Sequence, residues 1–315
     1  MELCLEPGGL AVSFGVVRVE AEGEVGGPAR VTLETRSADT GVLQRELELS
    51  STAQWPATPS EARLSLSEDG RGVALVGYDA PGARSVAVDA TAIKVGWLSG
   101  TTLEWVASVP APRTNITAVG TERGASFWVG GPASFGLQRT EAGGNTASER
   151  LDPREDTRAV AVRDGRLFAA SASTLRSWPL PLAGAPPLVE VQSTAMSDFE
   201  LVDLDGVPGR ETLYVSLERR PSGLAKYQRG PGGWELKWEA SAAIGVDDAT
   251  TCARLAVLPR PPGAVVLCVR GEGTEVVRFD DDPVVLDGGA PAPTLLVTAR
   301  SPASFRGIAF SVEGP

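Results

Sequence analysis

The sequence predicts an all-β chain built from a repeated unit, and three observations lead there. Short β-rich runs are cut throughout by Gly, Pro, Asp and Ser, and no stretch carries the apolar periodicity of an amphipathic helix. The 315 residues include 36 Gly and 24 Pro, which suits many strands joined by tight turns. Runs of similar plan recur at a spacing of about 40–55 residues, each with four candidate strands. That period and strand count are those of propeller blades. The expected fold is therefore a single β-propeller domain spanning residues 1–315, with about six four-stranded blades.

Each unit follows the same logic. The run "RLSLSEDGRGVALVGYDAPGARSVAVDATAIKVGWLSGTTLEWVASV" starts at Arg63, and "NITAVGTERGASFWVGGPASFGLQRTEAGGNTASERLD" starts at Asn115. A more compact unit, "RAVAVRDGRLFAASASTLRSWPLPLAGAPPLVEVQS", follows from Arg158, with a D-G turn between its first two strands. Two more start at Leu201 and Arg254. Inner strands such as "LFAAS", "TLYVSL" and "AVVLCV" carry apolar residues on both sides, as strands covered on both faces should. "NTASERLD" is charged, as suits an exposed outer edge. The segment from Ser51 to Ser60 is Pro-rich and fits no strand. The two ends of the sequence hold complementary parts of one unit. "SFRGIAF" reads as a first strand, and residues 5–50 read as the second to fourth. A closing blade from residues 303–315 and 5–50 is expected to shut the ring.

Several of these runs, in this order, resemble a family of uncharacterised, exported bacterial propeller-like proteins. They are "SEDGRGVALVGYDAPG", "ASFWVGG", "DGRLFAAS", "ETLYVS" with "GLAKYQ", and "SFRGIAF", covering most of the chain from about Gly9 to Phe310. The resemblance implies a secreted or cell-surface protein without an established activity. No export signal is visible in this sequence, so the expectation of export rests on the resemblance.

Composition excludes some functions. The net charge is −11, which makes nucleic acid and anionic membrane surfaces poor partners, and no apolar run is long enough to insert into a bilayer. There is no histidine, which removes Ser-His-Asp and Cys-His catalysis and most zinc, copper and haem sites. A monomer that binds a protein or a glycan at one face of the ring is expected, with no cofactor.

The candidate site follows from aligning the units. A polar residue stands before the inner strand of each: Asn115, Arg158, Glu200, Arg254 and Arg306, with Arg63 one step off. Cyclic repetition puts equivalent positions in a ring at one mouth of the channel. Arginines there could grip a carboxylate or a sugar through paired donors, or could bridge to the next blade and satisfy its carbonyls. Bridging is the commoner use. "DLDG" at Asp203 and Asp205 has part of a calcium-loop pattern, but the fuller loop is absent and a solvated Asp-Gly turn is the commoner meaning of such a run. The acidic runs "FDDDP" (Asp280, Asp281, Asp282), "VDDA" and "DPRED" read as solvated loops. The seven Trp residues suit blade packing better than sugar stacking. Cys252 and Cys268 flank the hairpin "CARLAVLPRPPGAVVLC"; a bulge would let them approach, as a disulfide or as buried thiols. The function expected is a non-catalytic extracellular binding or scaffold module. The alternative is a glycan hydrolase or lyase using carboxylates and Arg at the channel mouth.

Overall fold

A computed structural model describes residues 13–21, 29–48, 64–68, 72–79, 92–99, 102–110, 116–147, 149–151, 155–182, 184, 186–205, 211–219, 223–244, 250–286, 289–300 and 303–310. Arg63, Asn115 and the segment from Ser51 to Ser60 lie outside the described residues, and of Arg306 only the backbone is described.

The strands alternate with turns along the chain and fall into four-stranded antiparallel sheets. β1 (Ser13–Ala21), β2 (Ala29–Ser37) and β3 (Leu43–Glu48) belong to the first. β4 (Leu64–Leu66), β5 (Val73–Asp79), β6 (Ala92–Ser99) and β7 (Thr102–Pro110) make the second. β8 (Ala118–Thr121), β9 (Ser126–Gly130), β10 (Leu137–Glu141) and β11 (Glu149–Leu151) make the third. β12 (Ala159–Arg163), β13 (Arg166–Ala170), β14 (Thr174–Pro179) and β15 (Leu188–Gln192) make the fourth. β16 (Met196–Val202), β17 (Thr212–Leu217), β18 (Leu224–Gly230) and β19 (Gly233–Ala240) make the fifth. β20 (Cys252–Arg260), β21 (Gly263–Arg270), β22 (Glu275–Asp281) and β23 (Thr294–Thr298) make the sixth. β24 (Ala303–Phe310) then returns to the first sheet, whose order is β24-β1-β2-β3. Six four-stranded sheets thus stand among the described residues.

The innermost strands form a ring. β4 touches β8, β8 touches β12, and the succession runs through β16, β20 and β24 back to β4. The chain is a single β-propeller. Its core consists of the layers between neighbouring sheets. Along β17, Leu213, Val215 and Leu217 pack towards the fourth sheet, while Tyr214 packs towards the sixth with Phe279, Val266 and Trp238. That is the period-two alternation of a strand, with both faces apolar because both are covered. β12, β17 and β21 are buried at every position, whereas the edge strands β15 and β23 are largely exposed. The D-G turn between β12 and β13 is a two-residue hairpin loop. Asp164 and Gly165 both have positive φ, 49° and 66°, which matches the twist of the flanking strands.

Closure of the ring depends on β24. It pairs with β1 in antiparallel register, Val16 opposite Ile308 and Phe14 opposite Phe310. Phe305, Ile308 and Phe310 pack into the layer shared with the sixth sheet, against Leu267, Val269 and Val276. On the other side β24 approaches β4 so closely that a Cβ at Gly307 would lie 2.7 Å from the Leu64 nitrogen, so only glycine fits there. The sixth and first sheets are also tied at their periphery. Arg278 donates to the Ala38 carbonyl at 3.0 Å and to the Asp39 carboxylate at 2.6 Å.

The hairpin of β20 and β21 carries a disulfide between Cys252 and Cys268, with their α-carbons 5.7 Å apart. A register shift between Cys252 and Arg254 leaves Cys252 opposite Arg270 and Cys268 opposite Leu255. The extra residue is what brings the two sulfur atoms together.

Candidate binding site

The polar residues aligned in the sequence do not share one register. β16 begins at Met196 and β20 at Cys252, so Glu200 and Arg254 lie inside their strands, as does the Arg306 backbone in β24. Among the described residues of this set, only Arg158 directly precedes its strand. The sequence alignment placed these starts too late because both strands open with a bulge, at Met196/Asp198 and at Cys252/Arg254. A bulge breaks the alternation from which a strand start is read.

Arg158 and Arg254 do reach the same place. Arg158 donates to the Met196 carbonyl at 3.2 Å and pairs with Glu218 and Asp156. Arg254, which is buried, donates to the Ser197 carbonyl at 3.3 Å and to the Ala253 carbonyl at 2.9 Å. From opposite sides they tie the fourth and sixth sheets to the start of β16. Asp198 completes the tie. It is buried, and its carboxylate accepts the Leu255 N–H of the next sheet at 3.1 Å. Glu200 belongs to the other end of the ring, where its carboxylate faces Arg163 at 3.4 Å. Arg163 is buried at the end of β12 and also reaches the Leu66 carbonyl at 3.5 Å, two sheets away, while the Asp164 N–H donates to Glu68. The aligned polar set does not include Arg163, although its position beside the D-G turn marks the end of an inner strand.

A different place combines a cavity with unusual electrostatics. It lies between the fifth and sixth sheets, has a volume of about 290 Å³, and is lined by Leu204, Asp205, Glu211, Thr212, Lys226, Gln228, Pro262 and Pro283. Strand register builds it. Thr212 of β17 stands opposite Gln228 of β18, and Tyr214 opposite Lys226, so these side chains share the face towards the sixth sheet. On that sheet Asp281 ends β22, two residues after Phe279, on the same face. Asp281 is 2% exposed, which corrects its reading as part of a solvated acidic loop. Its carboxylate accepts the Tyr214 hydroxyl and the Lys226 ammonium, the latter at 2.6 Å, with the ammonium 5.8 Å from the Tyr214 ring centre. The sequence hid this pair. A three-Asp run looks like surface, and only the strand's alternation turns the middle of the three inward while Asp280 pairs with Arg278 outside.

Asp203 accepts the Asp205 N–H at 3.2 Å, an Asp turn, and Asp205 lines the cavity. Among the described residues no three Cys, Asp or Glu side chains are grouped to hold a metal ion.

Burial, and then the neighbouring Asp281 charge and hydrogen bond, push the Tyr214 hydroxyl far above its ordinary value. Unfolded tyrosine ionises near pH 10 and folded Tyr214 does not, so the stability it confers is complete below about pH 10 and lost above it. The folding equilibrium constant is expected to fall by roughly tenfold per pH unit above that value, measured by denaturant melts from pH 8 to 11. Tyr214→Phe should flatten this slope; an unchanged slope would show that other groups cause it.

No family model matches the chain, and no curated protein matches it in sequence. Solved structures do match in shape. The periplasmic gluconolactonase PpgL of Pseudomonas aeruginosa superposes with a TM-score of 0.55 at 13% identity, over 90% of this chain and 82% of that one. A chain of a nidogen/laminin complex gives 0.57 at 8% identity, over 95% and 98%. The β-propeller domain of Cps50 (Swd1) from Myceliophteria thermophila gives 0.50 at 10% identity, over 88% of each. At these identities the likeness is one of fold, and it agrees with the ring of four-stranded sheets. Among the described residues no helix is long and apolar enough to cross a membrane.

Proposed function

We propose that this chain is a six-bladed propeller that acts outside the cytoplasm, secreted or at the cell surface, as a monomeric, non-catalytic module binding a glycan or protein at one face of the ring. The observation that carries this reading is how the polar side chains near the ring axis are used. Arg158, Arg254 and Glu200, the groups a channel-mouth enzyme would need, are committed to bonds between sheets. Fixed in that way they suit a rigid scaffold better than proton or charge transfer. Export is supported by the Cys252–Cys268 disulfide, since such bonds persist mainly in oxidising compartments.

The test sets binding against turnover. The purified chain is incubated with immobilised glycans and candidate surface proteins, and separately with chromogenic glycosides and lactones. Saturable binding without turnover is the expected result. Turnover that survives repurification and disappears in Glu200→Gln would establish the hydrolase alternative instead.

A further inference from the structure

We infer that the cavity between the fifth and sixth sheets binds a compact, hydroxylated ligand carrying a protonated primary amine, of which a hexosamine is the type. The inference rests on the binding-module reading and gives it a site away from the ring axis.

Size comes first. About 290 Å³ sits at the low end of the ~300–1,000 Å³ typical of small-molecule sites, which suits a single sugar ring rather than a chain.

Charge selects the amine. Among the described lining residues the cation is the Lys226 ammonium, but Asp281 neutralises it at 2.6 Å, so it offers no net attraction for an anion. Glu211 is half-buried at the rim, and among the described residues its carboxylate has no hydrogen-bond or ion-pair partner. The charge left open in the cavity, that of Glu211, is negative, in a chain whose net charge is already −11. A cation is therefore preferred. A quaternary ammonium would need an exposed aromatic face, and Tyr214, the ring nearest the Lys226 end, is fully buried beneath that ammonium. The cation that fits is one that donates hydrogen bonds.

Hydroxyl recognition comes from Thr212 and Gln228. Thr212 lines the cavity, and its hydroxyl can both donate and accept a hydrogen bond there. The Gln228 amide stands opposite Thr212 in register and offers both a donor and an acceptor. Leu204, Pro262 and Pro283 supply apolar wall for the C–H faces of a sugar ring.

The experiment uses the intact chain with three probes: glucosamine, glucose and N-acetylglucosamine, followed by titration calorimetry and ligand-observed NMR. Glucosamine is expected to bind saturably. The other two, which lack the charge, are expected to bind at least about tenfold more weakly, the usual worth of a charge-assisted hydrogen bond. Glu211→Gln should remove that preference without changing the melting temperature, and Thr212→Val should weaken glucosamine binding. Equal binding of glucosamine and glucose, or wild-type preference in Glu211→Gln, would overturn the amine assignment. Absence of binding by all three sugars would overturn the cavity as a sugar site. Neither result bears on the glycan and protein screen, which decides the wider reading separately.

Discussion

A chain ending at residue 302 is expected to lose its cooperative unfolding transition, or to melt more than about 15 °C lower. Truncation removes β24, the innermost strand of the sheet completed by β1, β2 and β3. Phe305, Ile308 and Phe310 leave the layer they share with the sixth sheet, and full burial of each such side chain contributes about 1.5–3 kcal/mol. The inner edge of β1 and the walls of β20 and β4 are exposed at the same time, because β24 touches all three. Together these losses rival the whole stability of a typical domain, about 5–15 kcal/mol. Terminal residues are usually expendable; these are not, because they complete a ring rather than extend an edge. Thermal melts followed by circular dichroism, with and without a synthetic peptide of residues 303–315, check this. A truncated chain that melts like the full one would mean that the ring stays shut without its last strand.

Replacement of Asp281 by Ala is expected to destabilise the chain by roughly 3–5 kcal/mol, lowering its melting temperature by about 10 °C. The change strands the Lys226 ammonium, whose side chain is 12% exposed, and the fully buried Tyr214 hydroxyl. Most of the loss is the desolvation of an uncompensated charge. The double variant Asp281→Leu with Lys226→Met should therefore recover most of it, since an apolar pair of similar volume needs no partner. Asp280→Ala serves as the control. Asp280 is exposed and pairs with Arg278, and its loss should cost no more than about 1 kcal/mol. Equal effects of the two substitutions would show that the Asp281–Lys226 pair carries no special weight. The cavity and the stability of the layer between the fifth and sixth sheets are thus linked through one carboxylate.

Much of the architecture was legible because local signals and global packing agree. The D-G turn at Asp164-Gly165, the apolar runs of β12, β17 and β21 and the charged edge of β11 each report their own surroundings. Strand starts were less legible. Bulges at Met196/Asp198 and Cys252/Arg254 shift the alternation, so a linear alignment puts Glu200 beside Arg158 although the two lie at opposite ends of the ring.

The fold class follows from local pattern, because the period of the units and the alternation within strands are properties of neighbouring residues, which a linear reading can see. The sequence also made the approach of Cys252 and Cys268 possible, since both lie on one hairpin. The tertiary structure alone decided which polar groups face one another. Lys226 meets Asp281 across 55 positions of sequence, and Arg163 reaches the Leu66 carbonyl across 97. Such pairs depend on how one sheet is set against another. A charged side chain carries no local mark of whether its strand turns it into a layer or out to water. The burial that gives these charges their energetic weight arises only when the ring is closed.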